Sequence, residues 1–210
     1  MKILGWIALV IVLLGASITL ARMTIWKRPS GLGSTIVNSY MSPSVIRATL
    51  NGMRLVDRDT GGQSAGGGFP YADAFSDKMN FELTWYDILA KKAYRISFTM
   101  RAKELSTFGD VRDNAMVDVE MGPGADVTVT TPDPEEMRLI GLKLSEELAA
   151  LPQQPPVVLR ELCATEVPLD DPVVKILAGT VEDWSFNRAM DHRQALIEQR
   201  GIVTSRCTTE

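Results

Sequence analysis

One histidine, His192, and two cysteines, Cys163 and Cys207, are the only imidazole and thiol groups in 210 residues. Three such side chains cannot close a four-ligand zinc site without carboxylates, so no metal and no cofactor is expected. The glycine-rich stretch Thr60 to Gly68 lacks the Gly-Lys-Ser/Thr ending of a phosphate-binding loop, which argues against a nucleotide. No stripe of Lys and Arg is present, and the net charge of -4 disfavours a nucleic-acid partner. Carboxylate clusters exist, at Asp133, Glu135-Glu136 and Asp170-Asp171. None has the spacing of a calcium loop, and capping and solubility account for them more simply.

Charge is missing from one long stretch. Residues 3–21, ILGWIALVIVLLGASITLA, carry no charged side chain, with Lys2 before them and Arg22 after. A helix of that length spans roughly 28 Å, close to a bilayer's hydrocarbon core. A secretory signal has a shorter apolar core, and the small-residue sites at Gly15-Ala16-Ser17 and Thr19-Leu20-Ala21 are mediocre for cleavage. The expectation is an uncleaved anchor over residues 1–26, with Trp26 at the headgroup level. Basic residues on the two sides are nearly balanced and lean toward a cytoplasmic C-terminus. An extreme N-terminal segment with a short basic lead is how export begins, and this reading places the following domain outside the inner membrane. Two cysteines permit one disulfide in an oxidising compartment; paired and free thiols stay equally open.

Residues 27–44, rich in Ser, Gly and Pro, read as a tether, and 45–210 as one domain. Residues 45–56 are strand-like, with Asn51-Gly52 as a hairpin turn. Phe81, Leu83 and Trp85 alternate with polar residues, as do Tyr94, Ile96, Phe98 and Met100, so two half-buried strands form a hairpin through Asp87–Lys92. Tyr94, Ile96 and Phe98 should face the core, and Arg95 and Thr99 water. A second pair joins Val117, Val119 and Met121 to Val127 and Val129 through Gly122-Pro123-Gly124.

Asp133 caps a helix whose apolar face is Met137, Ile140, Leu144, Leu148 and Leu151, ended by Pro152. Val157 to Leu162 is extended, Asp171-Pro172 starts a short helix through Leu177, and Asn187 to Arg200 is a last helix stopped by Gly201. The fold class is α+β: an antiparallel sheet core with flanking helices, preceded by one N-terminal transmembrane helix.

Leu83-Thr84-Trp85-Tyr86-Asp87, Lys92-Ala93-Tyr94-Arg95-Ile96 and Gly122-Pro123-Gly124-Ala125-Asp126-Val127 form a pattern over residues 80–131. It resembles a family of bacterial envelope domains of unknown function. Many members are lipoproteins, and several are similar to immunity proteins beside type VI secretion effectors. These motifs are structural, so no catalytic residue carries over. This chain departs from the lipoprotein habit, having no cysteine after its apolar run.

The resemblance implies a binding protein and not an enzyme. On this reading it is a single-pass inner-membrane protein, held through residues 3–21, with its C-terminal domain in the periplasm. There it neutralises a protein effector of lipase or peptidase type by occlusion. Candidate partner-binding residues are Asp183, Trp184 and Phe186, an aromatic pair beside acids, and Gly66 and Gly67 in the glycine loop. Two alternatives stand beside it: an envelope hydrolase using Ser or Cys with His192, and an accessory subunit of an envelope complex.

Overall fold

The computed structural model describes residues 32–38, 43–59, 63–66, 78–107, 115–152, 154–181 and 183–207. Among the described residues ten strands build two five-stranded sheets. The first has the order β4 (Gln63–Gly66), β1 (Leu32–Asn38), β7 (Ala115–Met121), β8 (Asp126–Thr131), β9 (Val157–Cys163). The second runs β10 (Thr165–Val167), β6 (Lys92–Arg101), β5 (Lys78–Asp87), β2 (Ser44–Leu50), β3 (Met53–Asp59). Every pairing is antiparallel except β1 with β7, which is parallel.

Alternation along the strands makes this a sandwich. Met79, Phe81, Leu83 and Trp85 on β5 and Val117, Val119 and Met121 on β7 are all buried and belong to one hydrophobic cluster with Val127 and Val129 of β8. Two aromatic pairs sit directly opposite each other on β5 and β6. Phe81 stacks on Phe98 at 5.0 Å, and Trp85 meets Tyr94 at 5.4 Å between ring centres. Tyr94 and Met100 are fully inside, whereas Ile96 and Phe98 are only half-buried against the core. Thr99 is exposed as expected. Arg95 is on the outer face, where it is occupied by an ion pair described below.

The turns follow local chemistry. Asn51 and Gly52 both adopt positive φ (50° and 77°), the conformation that joins two strands without splaying them. Between β5 and β6 the Asp87 carboxylate accepts from the amides of Leu89 and Ala90, at 2.9 and 2.8 Å.

Two expectations about loops need correction. Residues 32–38, read as part of the tether, form β1 in the interior of the first sheet, so the folded domain begins at or before Leu32. Gln63–Gly66, read as loop, form β4 on that sheet's edge, opposite Asn38 to Thr35. β4 is poor in strand-favouring residues, whereas β1 holds Thr35, Ile36 and Val37 after the turn-prone Gly33-Ser34. Ladder pairing, of β1 on β7 and of β4 on β1, holds both extended.

The helix after Asp133 is also shorter than its periodicity suggests. The Asp133 carboxylate accepts from the amides of Glu135 and Glu136 and starts α1 (Pro134–Leu142). Lys143 then turns left-handed (φ 58°), and the Leu144 amide donates to the Leu139 carbonyl, closing a Schellman motif. A separate short helix, α2 (Ser145–Ala150), follows. Within α1 the buried residues are Met137 and Leu139, and Ile140 is exposed.

The short helix α3 (Pro172–Ala178) begins where expected and buries Val174 and Leu177 against β5 and β2 of the second sheet. The last helix, α4 (Asp183–Arg200), starts four residues earlier than expected and ends before Gly201, whose φ is 77°. Among the described residues no helix is long and apolar enough to cross a membrane; the anchor expected at 3–21 lies outside them.

Candidate functional site

The candidate partner-binding residues fall on two elements. Asp183, Trp184 and Phe186 share the first turn of α4, with Phe186 half-buried. Gly66 ends edge strand β4, opposite Thr35, and Gly67 lies outside the described residues. His192 is on α4, as its polar surroundings suggested. The spelling Gly-x-Ser-x-Gly occurs once, at Gly62-Gln63-Ser64-Ala65-Gly66. A nucleophile elbow needs a sharp turn from strand to helix, and Ser64 instead sits within β4, opposite Val37. Cys163 is bonded to Cys207, so the oxidised protein has no thiolate there for His192 to activate.

Among the described residues the most elaborate polar cluster lies around the Gly122-Pro123-Gly124-Ala125-Asp126 turn, to which sequence analysis assigns a structural role alone. Asp126 opens β8 with its side chain on the outer face of the first sheet, yet only 3% of the residue is exposed. The chain that follows α4 covers it. One carboxylate oxygen accepts from the Ser205 hydroxyl and the Cys207 amide, each at 2.8 Å, and the other from the Arg206 amide at 2.8 Å. Three donors from three consecutive residues make a seat for this one segment. The arrangement also engages both oxygens, so Asp126 is a receptor for N–H and O–H groups and not a general base.

Covalent and ionic ties reinforce the seat. Cys207 is disulfide-bonded to Cys163, which is opposite Asp126 in the β8–β9 ladder. The Arg206 guanidinium donates to Thr128 Oγ1 at 3.0 Å and pairs with Glu161 on β9. Gly124, in the turn before β8, has a φ of 68°, and a Cβ there would lie 3.3 Å from Ser205 Oγ. The same Cβ would come within 4.0 Å of the Tyr94 hydroxyl, so the second sheet reaches this corner as well. Burial pushes the Tyr94 hydroxyl above its ordinary pKa. A shallow cavity of about 220 Å³ remains beside the seat, lined by Glu120, Pro123, Asp126, Thr128, Val203 and Arg206.

On the opposite side, two ion pairs fasten β10 and α3 to the second sheet. Lys92 donates to Glu166 at 2.8 Å; that hydrogen bond and the carboxylate's charge raise the Lys92 pKa. Arg95 bridges Thr84 Oγ1 at 3.2 Å and Asp171 at 2.9 Å. Partial burial alone would raise the Asp171 carboxyl. The Arg95 hydrogen bond, the amides of Val173 and Val174 and the Arg95 charge outweigh it and hold the pKa below its ordinary value. Among the described residues no group of His, Cys, Asp and Glu is placed to hold a metal ion.

Comparison with protein-family models, with curated proteins and with solved structures gives no match to this chain.

Proposed function

We propose that this is an envelope protein that acts by binding: it is held in the inner membrane by residues 3–21, and its domain, in the periplasm, occludes a protein effector. The observation that carries the reading is the Cys163–Cys207 bond. Disulfides form and persist in oxidising compartments and are rare in the cytosol, so the bond supports a domain outside the inner membrane. The uncharged run 3–21 supplies a segment long enough to span a bilayer.

A two-sheet sandwich suits occlusion, which needs shape and charge across a standard interface of roughly 1,600 Å² and no proton transfer. Asp183, Trp184 and Phe186, on the first turn of α4, are the contact residues of this proposal. The effector class, a lipase or peptidase delivered by type VI secretion, rests on the family resemblance of residues 80–131.

Two measurements test it. The full chain should pellet with inner membranes and resist carbonate extraction; a soluble mature protein starting near Ser17 or Arg22 would remove the anchor. Cells exposed to a suspected effector of lipase or peptidase type should be protected equally by the wild type and by a folded, exported His192→Ala variant. An enzyme using its only histidine as general base should instead lose about 10² to 10⁴-fold in rate. Abolished protection, with effector binding retained in titration, would replace occlusion with the hydrolase reading.

A further inference from the structure

We propose that the Cys163–Cys207 disulfide and the Asp126 seat form one redox-operated latch: oxidised, it holds Ser205–Cys207 on the outer face of the first sheet; reduced, it lets that segment go. The inference stands apart from the proposed function and needs no partner.

Three observations lead to it. Cys163 is exposed at the end of edge strand β9, so a solution thiolate can reach the disulfide. Residues 201–206 are exposed along their whole length, and Ile202 is 77% exposed, so the apolar burial of this segment is confined to Cys207, which is partly buried against the core. Its polar ties are three hydrogen bonds to the buried Asp126 carboxylate, the stronger part, and the surface contacts of Arg206 with Thr128 and Glu161, which are worth little on their own.

Asp126 also acts on the disulfide itself. By binding the amide of Cys207 and that of the residue before it, Asp126 fixes the backbone that carries the second sulfur beside Cys163. Coupling of this kind is reciprocal: whatever the disulfide adds to the seat, the seat adds to the disulfide. Asp126 is therefore a positioning residue for thiol oxidation.

The redox step balances with a dithiol as reductant. Its thiolate attacks one protein sulfur, the Cys163–Cys207 bond breaks, and a mixed disulfide forms. The reductant's second thiol displaces the protein sulfur and closes a cyclic disulfide. Two electrons have then passed to the protein, and Cys163 and Cys207 each end as a thiol.

Release has two structural consequences. It uncovers a groove in which Glu120, Asp126 and Glu161 present three carboxylates on the outer face of β7, β8 and β9. It also frees the C-terminal end of α4, since only Gly201 to Thr204 separate that helix from the seat. The disulfide closes a span of 44 positions that contains β10, α3 and α4.

The test uses the full chain equilibrated in mixtures of reduced and oxidised dithiothreitol, with thiols counted by alkylation and mass spectrometry. Asp126→Ala should shift the equilibrium toward the reduced form by at least about tenfold, because a hydrogen bond to a charged acceptor is worth roughly that much in an equilibrium. In parallel, reduced wild type and the Cys163→Ser/Cys207→Ser double variant should show faster amide exchange at 202–207 and at the end of α4, with β5–β8 still protected. Where Asp126→Ala does not fold, Ser205→Ala takes its place, with a smaller shift in the same direction. An unchanged equilibrium in a folded variant, or unchanged exchange at 202–207 after reduction, overturns the latch.

Discussion

Gly124 shows how one residue can matter through its backbone. Its φ of 68° is strained for any residue with a Cβ, and that Cβ would press on Ser205 Oγ. Gly124→Ala is expected to cost about 1–2 kcal/mol in urea unfolding. Part of the loss should vanish in the Cys163→Ser/Cys207→Ser background, where the tail is free to move away; an equal loss in both backgrounds would put the whole effect in the turn. In the core, Phe81 is 1% exposed, whereas its stacking partner Phe98 is only partly buried. Phe81→Ala should cost ~3–5 kcal/mol and Phe98→Ala clearly less. The reverse order would mean the β5–β6 register is shifted by one.

At the scale of elements, two helices begin on an aspartate that caps them. Asp133→Ala removes the acceptor for two amides and should destabilise by about 1 kcal/mol, read from the denaturant midpoint. Asp171 caps α3 and pairs with Arg95, and its pKa is lowered. A lowered carboxyl stabilises the fold at pH above its unfolded value of about 4 and loses that contribution as pH falls through the folded value. The melting temperature of the wild type should therefore drop below pH 4, and Asp171→Asn should flatten that part of the curve. Matching curves would separate α3 docking from Arg95. Both caps were legible in the sequence because they are local: one carboxylate, a proline, and a helical period. The strands β2, β3, β5 and β6 of the second sheet were legible for the same reason, since Phe81 to Trp85 and Tyr94 to Met100 each alternate. What escaped were β1, β4, β10 and the tail seat. Each depends on a distant partner, β7 for β1, β1 for β4, β6 for β10, and Asp126 for Ser205–Cys207, and no local pattern encodes that. The helix break at Lys143 escaped because Leu144 and Leu148 continue the apolar period across it.

At the scale of the molecule, β9 and β10 are one passage of chain that leaves the edge of the first sheet and joins the edge of the second, with the Ala164 amide donating to the Ala125 carbonyl between them. The second sheet is mostly neighbouring hairpins, β2–β3 and β5–β6, whereas the first waits for a pairing with five strands in between, β1 with β7. Contacts of such separation form late. Leu83→Ala on β5 should therefore slow refolding in stopped-flow traces, and Val117→Ala on β7 should mainly speed unfolding; equal partition of both losses would remove the order. That order matters to a chain made from its N-terminus. When β1 emerges from the ribosome or a translocation channel, the strand it must join has yet to be synthesised. For the whole interval between Asn38 and Ala115 the donors and acceptors on its β7 edge lie open to any other extended chain nearby. Thr35, Ile36 and Val37 favour strand structure, so β4 matters: made well before β7, it pairs with the other edge of β1 and leaves one edge open during the wait.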